Sequence, residues 1–195
     1  MTDSFEKMIM DTPFLNLVRQ RRSIRHFDPK PVEKEKTVTC IEAARLAPSA
    51  ENVQPWRFVV MDDPARIAAF SDTVFSGIYR FTRWASRAPV LIAIFAEKDW
   101  LANRLGKEIQ GTSYYLIDIG IAGEHLVLQA EELGLGTCWI GWFHARKARK
   151  FLAAPKGWRA VALIAMGYPR GKRNKTKEKR KKKMLEEILY FNGYK

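Results

Sequence analysis

In the segment Arg21-Arg22-Ser23-Ile24-Arg25-His26-Phe27, three guanidiniums and one hydroxyl fall within five positions. Guanidinium groups grip phosphate through charge-assisted, bidentate hydrogen bonds, so this cluster can converge on an anion. The same residues also describe a solvated helix end whose arginines complement the dipole, and composition leaves both readings open. A second segment, Ala47-Pro48-Ser49-Ala50-Glu51-Asn52-Val53-Gln54-Pro55-Trp56, carries two prolines that fix an extended loop. Ser49 and Ala50 are small enough for a flat ligand to approach the backbone. Asn52 and Gln54 carry amides that donate and accept, which suits a heterocycle edge presenting both N–H and carbonyl groups. The alternative is a plain helix-to-strand connection with Trp56 in the core.

Other chemistries find no footing. The chain has no GxSxG, no HExxH and no GxxxxGK[ST]. Its three histidines, His26, His125 and His144, are not at metal-ligand spacing, and Cys40 and Cys138 form no CxxC pair. Gly134-Leu135-Gly136 reads as a helix C-cap, because no GxGxxG fingerprint follows a strand.

The elements that must hold the two segments follow from hydrophobic period and punctuation. Pro13, Phe14, Leu15 and Val18 predict a short first helix, after which the arginines come. A second helix opens at Pro31 and Glu33, carries Val38, Ile41 and Ala44 on one stripe with Cys40, Ala43 and Ala47 beside it, and ends at Pro48. A short strand at Phe58-Val59-Val60 is followed by a helix from Pro64 to about Ser71. Val90-Leu91-Ile92-Ala93-Ile94-Phe95 is a continuous apolar run, as in a strand buried on both faces. From Thr112 to Leu133 runs the clearest helix, with Tyr115, Leu116, Ile119, Gly123, Leu126, Val127, Ala130 and Leu133 in phase. Its second stripe, Ile117, Ile121 and Leu128, predicts burial on two sides, one of them against another subunit. Strands at 137–140 and 159–166 flank a helix at 144–152. Four strands among helices make an α/β or α+β order, with a sheet covered by helices.

Charge is concentrated. Of a net +13, residues 170–183 supply ten Lys or Arg against one Glu, a local +9, and the body is nearly balanced. At 195 residues and 47% hydrophobic, the chain can bury a sizeable core as one domain. Its longest apolar run, Ala88 to Ala96, is too short to span a bilayer. Asp3, Glu6 and Asp11 stand where a secretory signal would be basic, which predicts a cytoplasmic protein.

Taken together, RRSIRHF at 21–27 and AARLAPSAENVQPWRF at 43–58 resemble the paired motifs of the FMN-dependent nitroreductase family. DIGIAGEHLVLQAEELGLGTCWIG at 118–141 and ALIAMGYP at 162–169 are similar to that family's core helix and a flavin-edge strand. The resemblance implies an α+β fold: a mixed, mainly antiparallel sheet of about four strands, a long dimer-interface helix and a swapped C-terminal strand or extension. It implies tightly but non-covalently bound FMN at the interface of a homodimer. Arg21, Arg22 and Ser23 would bind the phosphate and ribityl chain. Arg25 would lie at the N1/O2 edge, where positive charge stabilises the reduced flavin. Pro48, Ser49, Ala50 and Asn52 match the segment supplied by the other subunit, and Gln54 the next polar position. Many members carry a hydroxyl where Ala50 stands. Trp139, Ile140 and Gly141 match the stretch that packs on the ring and presents N–H groups near N5. Within the basic run, Arg180 and Lys182 correspond to a pair that reaches the phosphate, and Met184, Leu185, Ile188, Leu189 and Phe191 recur at helical spacing in a docked chain end.

The activity so implied is ping-pong hydride transfer from NAD(P)H through flavin N5 to an electron-poor small molecule such as a nitroaromatic or quinone. A cofactor that carries the chemistry needs no side-chain nucleophile or base. Substrate choice would reside in residues 75–84 and 97–105, with Tyr79, Trp84 and Trp100 forming either a lid or part of the core. Two other readings compete. One is a basic-tailed binder of nucleic acid or an anionic surface, although no RNP-like motif or recognition helix accompanies the tail. The other is a flavin-binding sensor without turnover.

Overall fold

The computed structural model describes residues 5, 8–97, 111–171 and 182–194. Helix α1 (Pro13–Gln20) starts where Thr12 accepts the Leu15 N–H and Pro13 presets the first turn. Helix α2 (Lys34–Arg45) ends two residues short of Pro48. Strand β1 (Trp56–Met61) leads into α3 (Pro64–Val74), capped by Asp63 on the Arg66 N–H at 2.6 Å. A 3-10 segment, Gly77–Arg87, occupies most of the unpatterned stretch before β2 (Val90–Glu97). The long helix α4 (Tyr114–Glu132) is followed by β3 (Gly136–Ile140), α5 (Ala145–Phe151) and β4 (Trp158–Gly167). Gly134 caps α4 at φ +78°, with Leu135 N–H bonded to the Ala130 carbonyl and Gly134 N–H to that of Glu131. That is a Schellman ending, as the glycine pair predicts.

The strands form one sheet in the order β1-β2-β4-β3, and every pair is antiparallel. The mixed character expected from the resemblance is reduced to a single parallel bridge, Ser23 to Thr137, outside the named strands. β2 is buried on both faces because helices cover both. Leu91, Ala93 and Phe95 join α3, the 3-10 segment and α5 on one side, with Phe70, Phe75 and Leu163. Val90, Ile92 and Ile94 join α2 and α4 on the other, with Cys40, Trp56, Ile119 and Leu126. Each large side chain so buried contributes roughly 1.5–3 kcal/mol, which fixes the sheet between its two helical layers.

Two expectations need correction. Leu116 of α4 and Val38 of α2 are exposed rather than core, because no element of the same chain lies over them, and Ile117 of the second stripe is exposed in the single chain. Of the expected strand or extension after β4, the described residues 182–194 form an extension with the 3-10 turn Leu185–Glu187 and no strand. The apolar residues of this tail have no long helix to occupy, and Ile188 and Phe191 are exposed. None of the described helices is long and apolar enough to cross a membrane.

The start of α2 is tied to the end of β4 at Tyr168. Its hydroxyl donates to Glu33 Oε2 at 2.5 Å and accepts from Lys36 Nζ at 2.7 Å. That hydrogen bond, aided by Lys36 and Lys30, holds the Glu33 carboxyl down to about 2 from its ordinary 4.5. A depressed carboxylate contributes stability that is full above the ordinary value and lost as pH falls through the folded one. The melting temperature of Tyr168→Phe should therefore trail the wild type above pH 4.5, with the gap closing toward about pH 2. A gap that stays constant across that window would show that the contact carries no linkage.

Candidate functional site

After α1 the chain runs extended along β3. Ile24 N–H donates to the Thr137 carbonyl at 2.8 Å, and farther on Asp28 N–H reaches the Tyr168 carbonyl and Arg170 N–H the His26 carbonyl. The approach is close enough to demand glycine at 136, since a Cβ there would sit 2.6 Å from Ile24 Cγ1. The arginine segment is thus a strand-like strip laid on the sheet, not a loose helix end. Arg21 lies with its Nε 3.6 Å from Glu124 Oε1 of α4. The Arg25 guanidinium lies 5.7 Å from the centre of the Trp84 ring. Among the described residues, no carboxylate forms an ion pair with Arg22 or Arg25, and both are exposed. Two uncompensated cations on one strip suit an anionic ligand.

Arg25 opens onto a pocket of about 340 Å³ lined by Phe81, Thr82, Trp84, Trp139, Ile140, Gly141 and Trp142. Among the described residues its wall holds four aromatic side chains, one cation and no carboxylate, a composition that suits a flat, electron-rich or anionic molecule. Thr82 Oγ1 lies 2.7 Å from the Tyr79 carbonyl and 3.0 Å from that of Trp142, fastening the 3-10 segment to the turn after β3. Because the Thr137 carbonyl faces Ile24, strand alternation turns the main-chain groups of Trp139 to the same free edge of β3. Trp139 itself rests on α4, where Gly123 leaves room for its indole.

The second motif lies elsewhere in the chain. None of Pro48, Ser49, Ala50, Asn52 or Gln54 lines the pocket. Three non-glycine residues in this loop hold left-handed backbone, Glu51 at φ 52°, Asn52 at φ 57° and Gln54 at φ 49°. Such conformations cost roughly 1–3 kcal/mol each and persist only where surrounding contacts enforce them. Here Ser49 Oγ accepts the Gln54 N–H at 3.0 Å, and Gln54 Nε2 folds back onto the Asn52 carbonyl and Oδ1 at 3.2 and 3.1 Å. Ala50 N–H donates to Asp118 Oδ1 of α4 at 3.0 Å.

The structure therefore brings Arg25 together with Trp139, Ile140 and Gly141, and stations Arg21, Arg22 and Ser23 on the same strip. Lys182 is exposed and does not line the pocket, whereas Arg180 and Trp100 lie outside the described residues. Trp84 is a pocket wall, and Tyr79 packs edge-on against His144 with ring centroids 4.4 Å apart. Phe81 and Thr82 belong to the 75–84 stretch that the sequence singled out for substrate choice, whereas sequence reasoning missed Trp142, Glu124 and Asp118. For Trp142 a signal existed: it directly follows the motif residues 139–141, and a tryptophan in a turn has little core to fill.

The architecture is thus a helix-covered antiparallel sheet with a cationic strip beside an edge-strand pocket, and comparison with known proteins places it among the nitroreductase-type oxidoreductases. The sequence profile of the Nitroreductase family matches residues 18–168, and the chain belongs to that family. It is 30% identical to an NADH dehydrogenase of Thermus thermophilus, over 77% of this chain and 83% of that one. It is also 30% identical to 5,6-dimethylbenzimidazole synthase of Rhodospirillum rubrum, over 79% and 81%. Among solved structures, an FMN-dependent nitroreductase of Clostridium difficile superposes with a TM-score of 0.70 at 29% identity, over 92% of this chain and 99% of that one.

Proposed function

We propose that the protein is a homodimeric, FMN-dependent oxidoreductase that takes electrons from NAD(P)H and delivers them to an electron-poor small molecule. One observation carries the reading: Arg25 of the arginine strip and Trp139–Gly141 line one aromatic pocket, while the strained Ser49–Gln54 loop is built but does not line it. A second copy of the chain would bring that loop to the first copy's pocket. The exposed apolar residues Leu116 and Ile117 on α4 supply a surface for such a copy. The relatives' names support the cofactor and the nicotinamide donor.

The pocket fits FMN by chemistry. Its aromatic walls match a flat ring system, Arg25 matches an electron-rich ring edge, and the guanidiniums of Arg21 and Arg22 beside it on the strip match a phosphate. In this reading Arg21, Arg22 and Ser23 hold the phosphate end, joined by Arg180 and Lys182. Arg25 places positive charge at the ring edge. Trp139, Ile140 and Gly141 back the ring, and Pro48, Ser49, Ala50, Asn52 and Gln54 of the second copy close it. FMN, once bound, supplies the hydride and electron chemistry, so the chain needs no nucleophile. What the side chains do is orient, exclude water and bias charge: Phe81 and Trp142, exposed at the rim with ring centroids 5.8 Å apart, face the space where donor and acceptor would arrive in turn.

Purified protein should show flavin absorbance bands that bleach when NADH or NADPH is added without oxygen. Bands that persist would assign a sensor or another donor. A colourless protein that refuses added FMN would remove the reading.

A further inference from the structure

Asp118 is nearly fully buried, 5% exposed, at the start of the core-helix motif and outside the pocket lining. It sits on α4, facing the loop between α2 and β1, and its Oδ1 accepts the Ala50 N–H across 68 positions of chain. Burial pushes its carboxyl up, and the Ala50 bond pulls the other way. The bond falls at a telling place. Ala50 is the first residue of the turn Ala50–Asn52, directly ahead of the three left-handed residues, and Ser49 before it is extended at φ −143°.

A loop with three strained residues in four positions does not hold its shape by local preference. The Ser49, Asn52 and Gln54 bonds close it internally. Its far end is fastened to β1, where Arg57 Nη1 donates to the Gln54 carbonyl at 3.1 Å, and its near end to the long helix α4 by Asp118. We propose that Asp118 is a positioning residue: its carboxylate clamps Ala50 and so presents the Ser49–Gln54 loop, preformed, to the FMN of the opposite subunit. The assignment rests on the reading under Proposed function. Preorganisation of this kind raises affinity because ordering is already complete before the ligand arrives.

The test compares Asp118→Asn and Asp118→Leu in the full-length protein. Asparagine keeps an acceptor at the same place. Leucine removes it while relieving the burial of a carboxylate, so it is expected to fold with a somewhat lowered melting temperature from the Ala50 N–H that loses its acceptor. FMN added back to flavin-free protein should bind Asp118→Asn within a few-fold of wild type and Asp118→Leu about ten- to a hundred-fold more weakly, the scale of one lost charge-assisted hydrogen bond. In the flavin-free chain, the amides of 50–54 should exchange with deuterium faster in the leucine variant than in wild type. A purely structural role would shift the melting temperature of both variants and leave affinity and exchange of the folded protein alone, which overturns the proposal. Wild-type binding with an unimpaired leucine variant sinks the clamp and spares the FMN reading. Wild type that binds no FMN sinks both.

Discussion

Replacing Arg21 and Arg25 together by alanine is expected to give a folded protein that purifies without flavin. The two side chains bind the fold only lightly. Arg21 meets Glu124 at 3.6 Å as a partly exposed pair, and such pairs contribute roughly 0–1 kcal/mol. Arg25 leans on the Trp84 ring at 5.7 Å, a contact of about 0.5–1 kcal/mol at an exposed site. Arg21 caps α1 through its backbone N–H on the Leu17 carbonyl, which alanine retains. Against these small terms stand two hydrogen-bonding cations facing an anionic ligand, worth about 1.5–3 kcal/mol each. Their joint loss should weaken FMN binding on the order of 10²- to 10⁴-fold, with little change in melting temperature. The flavin-to-protein absorbance ratio after gel filtration reads the result directly. A double variant that retains full flavin content would show that the strip is not the phosphate site.

How much of this was legible before the structure depends on the kind of fact. The run Val90–Phe95 announced a two-sided strand and is one, because continuous apolarity means cover on both faces. The period of α4 likewise placed Ile119, Leu126 and Val127 in the core. Periodicity reports that a face is apolar and does not report what covers it, which is why Leu116 and Val38 read as core and lie exposed in the single chain. Pairing across the chain was out of reach for the same reason. The edge position of β3, the seating of Ser23 and Ile24 on Thr137, and the reach of Asp118 to Ala50 depend on sheet order, which no local pattern encodes. The glycines were only half readable. Gly134 shows itself by its place after a helix, whereas Gly123 and Gly136 are required by neighbours distant in sequence.

Gly123 gives the second large expected effect, because it reports on the pocket wall from behind. A Cβ at this position would lie 2.1 Å from Cη2 and 2.4 Å from Cζ2 of Trp139. On an isolated helix, Gly→Ala is favourable by about 0.5–1 kcal/mol. Here the helix backbone cannot yield, so the indole must swing toward the cavity it lines, at an overpacking cost of roughly 1–3 kcal/mol. Gly123→Ala should therefore lose stability on balance and should lose flavin affinity more severely, since the displaced ring enters the pocket. Trp139→Leu removes the clash. In that background the same Gly123→Ala change should turn stabilising, recovering its helical preference. Denaturant midpoints of the four proteins in the cycle measure the coupling, which should be of the order of 1–3 kcal/mol for residues in direct contact. If the two substitutions add to within about 0.5 kcal/mol, Trp139 does not rest on Gly123, and the back wall of the pocket is built some other way.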